Sequence, residues 1–238
     1  HLIVHTERSK RTLIIEGADS DKISVIDPGV DLPRFQPGPG DREALGLDED
    51  AFVILFVGWL LPRKGLDFLL LALRELLSGS ETVADKVQLL IVGSGPGRDR
   101  VESLARRLGI TAHCHFIGSR PYETMPRLFQ SADVFVLPSI ATETWQEQFG
   151  MSLMESMACG TPVVTTCSGA IPEIVEDAAL LCQPNDFLSL HDALSRLIAD
   201  SQLEEACAEK GLEIARRRYD LDAYSRRLAD VYARLATR

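Results

Sequence analysis

The sequence lacks the features of a disulfide-stapled or membrane-spanning chain. Its five cysteines form no CxxC pair, and most lie in apolar runs, where free cysteine behaves as a small hydrophobe. They are Cys114, Cys159, Cys167, Cys182 and Cys207. No apolar run approaches the ~18 residues of a spanning helix, and nothing resembles a signal peptide. We therefore expect a reduced, cytoplasmic protein.

Basic residues are also too few for a nucleic-acid binder. The chain has 25 Lys and Arg against 35 Asp and Glu, a formal net charge of −10. A protein that binds a phosphate backbone presents a net basic face, so nucleic acid is not an expected partner. An anionic ligand would have to meet local donors instead. The sequence shows no metal-ligand cluster, internal repeat or low-complexity segment.

Length and composition allow a stable core without disulfides or a metal. The chain has 238 residues, of which 45% are hydrophobic, and one large domain or two small ones are both allowed. It begins with His1 rather than Met. We therefore expect a piece of a longer protein.

Short apolar runs alternate with helical stretches along most of the chain. The runs are bounded by Gly, Pro or Asp and lack the alternation of half-exposed strands, so they predict buried strands. These predicted strands are 53–58, 88–93, 115–118, 134–139 and 162–166. The predicted helices are 65–77, 98–108, 123–131, 149–158 and 172–175, followed beyond Asn185 by a long helical tail with no further strand. This alternation predicts an α/β fold with a doubly wound, Rossmann-like parallel sheet.

The loop 58–65, GWLLPRKG, lies where such a sheet binds ligands, beyond the carboxyl end of a strand. It opens a predicted helix, and a helix N-terminus favours phosphate. Lys64 and Arg63 would add two cations there. The alternative is a pair of ordinary surface charges, which the position on a strand-to-helix loop makes less favoured.

The loop 93–97, GSGPG, could belong to a dinucleotide fingerprint, but its third glycine falls one position early. The acid expected about 20 residues on, to hold a ribose, is missing. In its place the next strand ends in Gly118, Ser119 and Arg120. An NAD-dependent oxidoreductase is therefore disfavoured, while a tight turn beside a ligand or a simple strand stop stays open. The backbone of 118–120 could read a flat base edge.

Two glutamates, Glu147 and Glu155, flank seven residues without other charge. A helix starting near Phe149 would offer its first free N–H groups at Phe149, Gly150 and Met151, and Gly150 permits close approach of a ligand. This helix is otherwise nearly all apolar, so a carboxylate inside it needs hydrogen-bond donors, which sugar hydroxyls would supply. The helical wheel does not decide whether its polar strip faces solvent or a cleft.

Together these motifs carry a family resemblance. FVGWLLPRKGLDFLLLAL, LLIVGSGPGRDRVESLARRLG, HFIGSRPYETMPRLFQSADVFVLPS and EQFGMSLMESMACGTPVVTTCSGAIPEIV stand in this order. Their order and spacing resemble the C-terminal domain of the retaining glycosyltransferases of family 4, which have the GT-B fold. The earlier ISVIDPGVDLPRF resembles the start of that domain. The resemblance covers roughly residues 20–200.

The resemblance implies transfer of a hexose from a nucleotide-diphosphate sugar, most simply UDP- or GDP-hexose, to an acceptor, with retention of anomeric configuration. It implies no metal or other cofactor. Glu155 would bind the ribose, Glu147 would lie by the donor sugar, and Lys64 would neutralise the leaving diphosphate. The other implied donor-site residues are Gly58, Trp59, Gly93, Gly118, Ser119, Arg120, Phe149, Gly150 and Met151.

One position departs from the family pattern. The family places an arginine directly after the glycine of the first loop, where this chain has Trp59. Arg63 could supply the missing charge as a second diphosphate ligand. A non-catalytic nucleotide-sugar-binding module is therefore an alternative, and a GT-B nucleotide-sugar 2-epimerase is another.

The resemblance also predicts a domain division. Residues 1–20 would be the tail of an N-terminal acceptor domain and a linker, 21–221 the donor-binding domain, and 222–238 a helix that crosses back to the absent domain. Peripheral membrane contact would come only through that absent domain. We expect this piece alone to bind nucleotide sugar weakly and to transfer little.

Overall fold

The computed structural model of the chain describes residues 1–79 and 86–236. Within them, six parallel strands form one sheet in the order β5-β4-β3-β6-β7-β8. The strands are β3 (Phe52–Val57), β4 (Val87–Val92), β5 (Cys114–Gly118), β6 (Val134–Leu137), β7 (Val163–Thr166) and β8 (Ala179–Cys182). The five predicted strands are all present. Their apolar runs are continuous because the central strands are buried on both faces.

Helices cover both faces of this sheet, which confirms the doubly wound fold. One face packs under α3 (Leu66–Gly79), α4 (Arg98–Leu108) and α8 (Phe187–Ala199). The other packs under α5 (Met125–Gln130), α6 (Met151–Ala158), α7 (Ile171–Val175) and α9 (Ser201–Arg218). Among the described residues, no helix combines the length and apolar character needed to cross a lipid bilayer.

The strand order changes direction between β3 and β6. From β3 the chain builds outward through β4 to β5, then returns to place β6 on the other side of β3. In open α/β sheets a ligand crevice forms at such a point, beyond the carboxyl ends of the strands. The loops after β3 and β6 flank this point.

Strand β8 is absent from the sequence prediction. It is a four-residue edge strand with partly exposed side chains, and no glycine or proline stands directly before it. Short edge strands with mixed burial give a weak periodic signal. The predicted helical tail that follows is present as α8, α9 and a final helix, α10 (Leu221–Ala236).

The ends of the chain meet beside the main sheet. β1 (Leu2–Val4) pairs in parallel with β2 (Ile23–Val25), and α1 (Glu7–Ile15) connects them. The short helix α2 (Arg42–Leu45) leads into the main sheet. α10 starts where Val30 forms a bridge with Asp220. The predicted domain division stays a prediction, and positions 237–238 of its final helix lie outside the described residues.

Candidate functional site

The loops carrying the sequence motifs lie at one edge of the sheet. Loop 58–65 follows β3, loop 93–97 follows β4, residues 119–124 follow β5, and the segment before α6 follows β6. These strands are parallel neighbours, so their carboxyl ends meet at the same edge. The candidate site is therefore assembled from four consecutive positions in the sheet.

The carboxylate of Glu147 is the centre of the best-defined polar cluster. The Lys64 ammonium donates to its Oε2 at 2.6 Å, and the Ser139 hydroxyl donates to the same atom at 2.8 Å. Glu147 is only 6% exposed. Its backbone oxygen accepts a bond from the amide of Ala170, at the start of α7. The position of this carboxylate is thus fixed by residues that follow β3, β6 and β7.

Lys64 reaches Glu147 because the loop after β3 turns tightly. Pro62–Lys64 form a 3₁₀ turn, and Gly65 follows with φ of 70° before α3 begins. A Cβ at Gly65 would lie 1.8 Å from the carbonyl oxygen of Pro138. Only glycine allows the two loops to approach this closely.

Both cations of this loop lie over one indole ring. The guanidinium carbon of Arg63 is 4.5 Å from the centroid of Trp145, and the Lys64 nitrogen is 5.3 Å from it. The amide of Ile140 donates to the carbonyl of Arg63 at 2.9 Å, which ties the two loops together. Cation–π contacts of this kind fix the direction of a charge. Neither Trp145 nor Ser139 was predicted from the sequence as a site residue, although Ser139 lies at the end of a predicted strand.

Glu155 lies inside α6 and is 6% exposed. The Tyr122 hydroxyl donates to its Oε1 at 2.9 Å. Burial raises the pKa of Glu155 above its ordinary value, and the Tyr122 hydrogen bond partly offsets this. The polar strip of α6 turns inward, since Ser156 is also buried and donates to the carbonyl of Thr161.

The predicted start of this helix is wrong by two residues. α6 begins at Met151, and Gly150 precedes it in a left-handed conformation with φ of 71°. A residue with this φ cannot continue an α-helix. The helix therefore presents N–H groups from Met151 onward, while Phe149 packs partly against the core and its ring contacts that of His5.

The glycine loops after β3, β4 and β5 touch one another. A Cβ at Gly93, where φ is 137°, would lie 1.9 Å from the carbonyl oxygen of Gly58. The Gly93 amide donates to the carbonyl of Gly118 at 2.9 Å, and the Ser119 hydroxyl donates to that of Ser94 at 2.8 Å. The close backbone packing explains the glycines of this turn.

Four predicted site residues lie on the surface around this edge, Ser119 among them. Trp59 is 67% exposed, Met151 is 40% exposed and Arg120 is also exposed. An open cleft of about 750 Å³ lies between α1 and residues 142–148. Glu147 and Trp145 line this cleft. The buried Glu147 thus borders a space large enough for a small ligand.

Comparison with known proteins identifies the family. Residues 39–213 match the family of glycosyl transferases group 1. The chain belongs to this family. The match covers every loop of the candidate site, and the family is one of glycosyltransferases, as the motifs predicted.

Curated relatives of this group 1 glycosyltransferase are longer. D-inositol 3-phosphate glycosyltransferase 2 from Catenulispora acidiphila is 34% identical over 243 residues, which cover 98% of this chain and 56% of the relative. The chain thus spans about half the length of the curated relatives it matches.

Solved structures of glycosyltransferases share the fold. Sucrose-phosphate synthase from Thermosynechococcus elongatus has a TM-score of 0.87 at 27% identity, covering 99% of this chain and 58% of that one. HepE from Anabaena, in complex with UDP, has a TM-score of 0.86 at 26% identity, covering 97% of this chain and 63% of that one. A further HepE structure holds UDP-glucose. The predicted Rossmann-like sheet, as in the C-terminal half of a GT-B glycosyltransferase, is confirmed.

Proposed function

We propose that this group 1 glycosyltransferase chain binds a nucleotide-diphosphate hexose and supplies the donor half of a retaining, family 4 transferase. One observation carries the proposal: Lys64, Glu147 and Ser139 form a buried ionic cluster at the point where the strand order reverses. The UDP and UDP-glucose complexes of HepE support a uridine donor, and a GDP-hexose is the other candidate.

In this proposal each part of the site binds one part of the donor. Glu155 accepts hydrogen bonds from the ribose hydroxyls, and Glu147 lies beside the transferred sugar. The N–H groups at the start of α6, with Gly150 permitting close approach, bind the diphosphate. Residues 118–120 lie at the base. No metal or other cofactor is required, because Lys64 and these N–H groups supply the positive charge.

Lys64 stabilises the leaving group. Departure of the nucleoside diphosphate leaves an oxocarbenium-like sugar and concentrates negative charge on the phosphate oxygens. A fixed cation aimed at that charge can contribute ~3 kcal/mol to the transition state. Glu147 and Trp145 hold the Lys64 ammonium in place, which keeps its charge next to the proposed diphosphate position.

Arg63 is proposed as the second cation, in place of the arginine that the family has at the Trp59 position. Its guanidinium lies over the same indole as Lys64, which keeps both charges on the same side of the loop. Trp59 at that position favours a second candidate function, a non-catalytic module that binds nucleotide sugar, because an indole cannot neutralise a diphosphate.

The acceptor belongs to a part of the protein outside this chain in our proposal. The chain spans about half of its curated relatives, and GT-B enzymes bind donor and acceptor on separate domains. We therefore expect this chain alone to bind donor weakly and to transfer little. Full-length transfer rates from this chain would contradict that expectation.

The test is a calorimetric binding panel of UDP, GDP and ADP with their hexose conjugates, on wild type, Lys64→Ala and Arg63→Ala. Loss of a charge-assisted bond predicts a roughly 10-fold or greater weakening for Lys64→Ala. Arg63→Ala should weaken binding by a smaller factor. Arg74→Ala, an exposed arginine on α3, is the matched control.

Unchanged affinity in Arg63→Ala would disprove its role as the second diphosphate ligand. A wild type that binds none of these nucleotides would disprove the donor-site proposal itself. Binding without transfer by a longer protein that includes the acceptor half would favour the non-catalytic module.

A further inference from the structure

Tyr122 lies on a 3₁₀ turn after β5, and the sequence motifs give it no role. Its hydroxyl donates to Oε1 of Glu155 at 2.9 Å, across 33 residues of sequence. In the described part of the chain, no other side chain donates a hydrogen bond to this carboxylate. Tyr122 therefore supplies the one side-chain hydrogen bond to this carboxylate in the described part of the chain.

The ring of Tyr122 is itself held from the other side. Its centroid lies 5.5 Å from that of the fully buried Phe35, and the guanidinium carbon of Arg34 lies 5.9 Å above it. Such ring contacts favour one tilt of the aromatic ring. The hydroxyl is thus placed by a packed segment before α2, although the residue is 47% exposed at the site's edge.

A carboxylate has lone pairs for about four hydrogen bonds. Tyr122 occupies one site on Oε1, which leaves Oε2 and the second site of Oε1 for other donors. A ribose presents two neighbouring hydroxyls that can donate to two sites of one carboxylate. A fixed carboxylate binds such a diol without losing further rotational freedom.

We propose that Tyr122 is a positioning residue that holds Glu155 for the ribose diol and so makes the site select ribonucleotides over deoxyribonucleotides. This proposal rests on the donor site proposed above. Tyr122 itself need not contact the ligand. Its hydroxyl acts through the orientation and the ionisation of Glu155.

The test compares UDP-glucose with its 2′,3′-dideoxy analogue on wild type and Tyr122→Phe, or the GDP-hexose pair if the panel shows a guanosine preference. We expect Tyr122→Phe to weaken binding of the ribonucleotide sugar about 3–10-fold, in line with loss of one hydrogen bond. Its affinity for the dideoxy analogue should stay unchanged. The ring contacts with Phe35 are kept in this variant. Tyr232→Phe, on exposed α10, is the matched control.

A pH series gives a second readout that a merely structural role would not move. The groups that face Glu155 are the Tyr122 hydroxyl and the Cys159 thiol, whose pKa is raised by burial and by the Glu155 charge. Without the Tyr122 bond the carboxylate should protonate more readily. Affinity for UDP-glucose should then fall at a higher pH in Tyr122→Phe than in wild type as the solution is acidified.

The outcomes separate this proposal from the donor site. If Tyr122→Phe loses equal affinity for the ribose and dideoxy ligands, or loses none for either, Tyr122 does not have the proposed role. Binding of the nucleotide sugar by wild type would still support the donor site. If Glu155→Gln binds UDP-glucose as wild type does, the ribose role of Glu155 fails, and Tyr122 loses its role with it. A wild type that binds no nucleotide sugar overturns both proposals.

Discussion

The two buried carboxylates of this site have different partners. Glu147 is paired with the Lys64 cation, so its charge is balanced within 2.6 Å. Glu155 has only the neutral Tyr122 hydroxyl among the described side chains, and burial raises its pKa. A buried charge without a cation is costly, so Glu155 lowers the stability of the unliganded protein.

Glu155→Gln should therefore stabilise the unliganded chain while weakening its binding of ribonucleotides. Burial raises the pKa of Glu155 in the folded protein above its ordinary value of 4.5. The ionised carboxylate therefore destabilises the folded state fully at a pH above the raised pKa, and this cost is absent at a pH below the ordinary pKa. We expect a gain in unfolding free energy on the order of 1 kcal/mol at pH 8. Urea unfolding of both proteins at pH 5 and pH 8 measures it.

The gain should shrink as the pH falls from 8 to 5, since wild-type Glu155 becomes partly protonated. Glu205→Gln provides the control, because Glu205 is exposed on α9. A gain of equal size at both pH values would contradict the assignment of the effect to Glu155 ionisation.

At the scale of elements, the site depends on glycines that let strand-end loops meet. Gly65 lies between the Lys64 turn and α3, against the backbone of Pro138. Gly109, which ends α4, has nearly the same φ of 72°, but a Cβ there would meet none of the described atoms within 4 Å. The two glycines separate the effect of backbone conformation from that of close packing.

Gly65→Ala should cost more stability than Gly109→Ala. A left-handed alanine costs roughly 1–2 kcal/mol at either position, and at Gly65 the contact with Pro138 must also be relieved. We expect a total loss above ~3 kcal/mol for Gly65→Ala. Thermal unfolding of both variants measures the difference. Equal losses of stability would show that the loop at Gly65 can move away from Pro138 at no cost in free energy.

The elements that sequence reasoning predicted best are the buried strands and the helices that cover them. β3 and β4 are continuous apolar runs, and α4 has the predicted bounds, because burial on a fixed face produces a regular pattern. The predicted start of α6 is wrong because Gly150 turns left-handed close to the side chains of Leu153 and Leu137, where a Cβ would be crowded, and no local pattern shows this.

The site could be predicted only in part, for a related reason. Lys64 and Glu147 lie 83 residues apart, and their motifs indicated one site because both follow parallel strands. Tyr122 and Trp145 act through contacts between different loops. Their sequence surroundings have no periodicity or spacing that distinguishes them from other surface aromatics.

At the scale of the whole molecule, Arg218 connects distant parts of the chain. Its guanidinium pairs with Asp27 at 2.7 Å and with Glu176 at 2.6 Å, and it donates to the carbonyl of Glu173 at 2.9 Å. These partners lie before the main sheet and beside α7. Arg218 thus fixes the crossing of the C-terminal segment over the early part of the chain.

Arg218→Ala should destabilise the chain by roughly 1–3 kcal/mol. The carboxylates of Asp27 and Glu176 and the carbonyl of Glu173 would all lose the hydrogen bonds that this partly buried guanidinium donates. Arg216→Ala, an exposed arginine of the same helix, should change stability by less than ~0.5 kcal/mol. Chemical denaturation measures both. Equal losses of stability in the two variants would show that the Arg218 contacts do not stabilise the crossing of the C-terminal segment.

The indole beneath Lys64 also has a practical consequence. The chain contains only two tryptophans, Trp59 and Trp145, and Trp59 is the exposed one. In a Trp59→Phe protein all tryptophan fluorescence comes from the ring that contacts both cations of the loop. A diphosphate that binds beside Lys64 changes the electric field on that ring, so stopped-flow emission can follow the arrival of ligand without any attached dye.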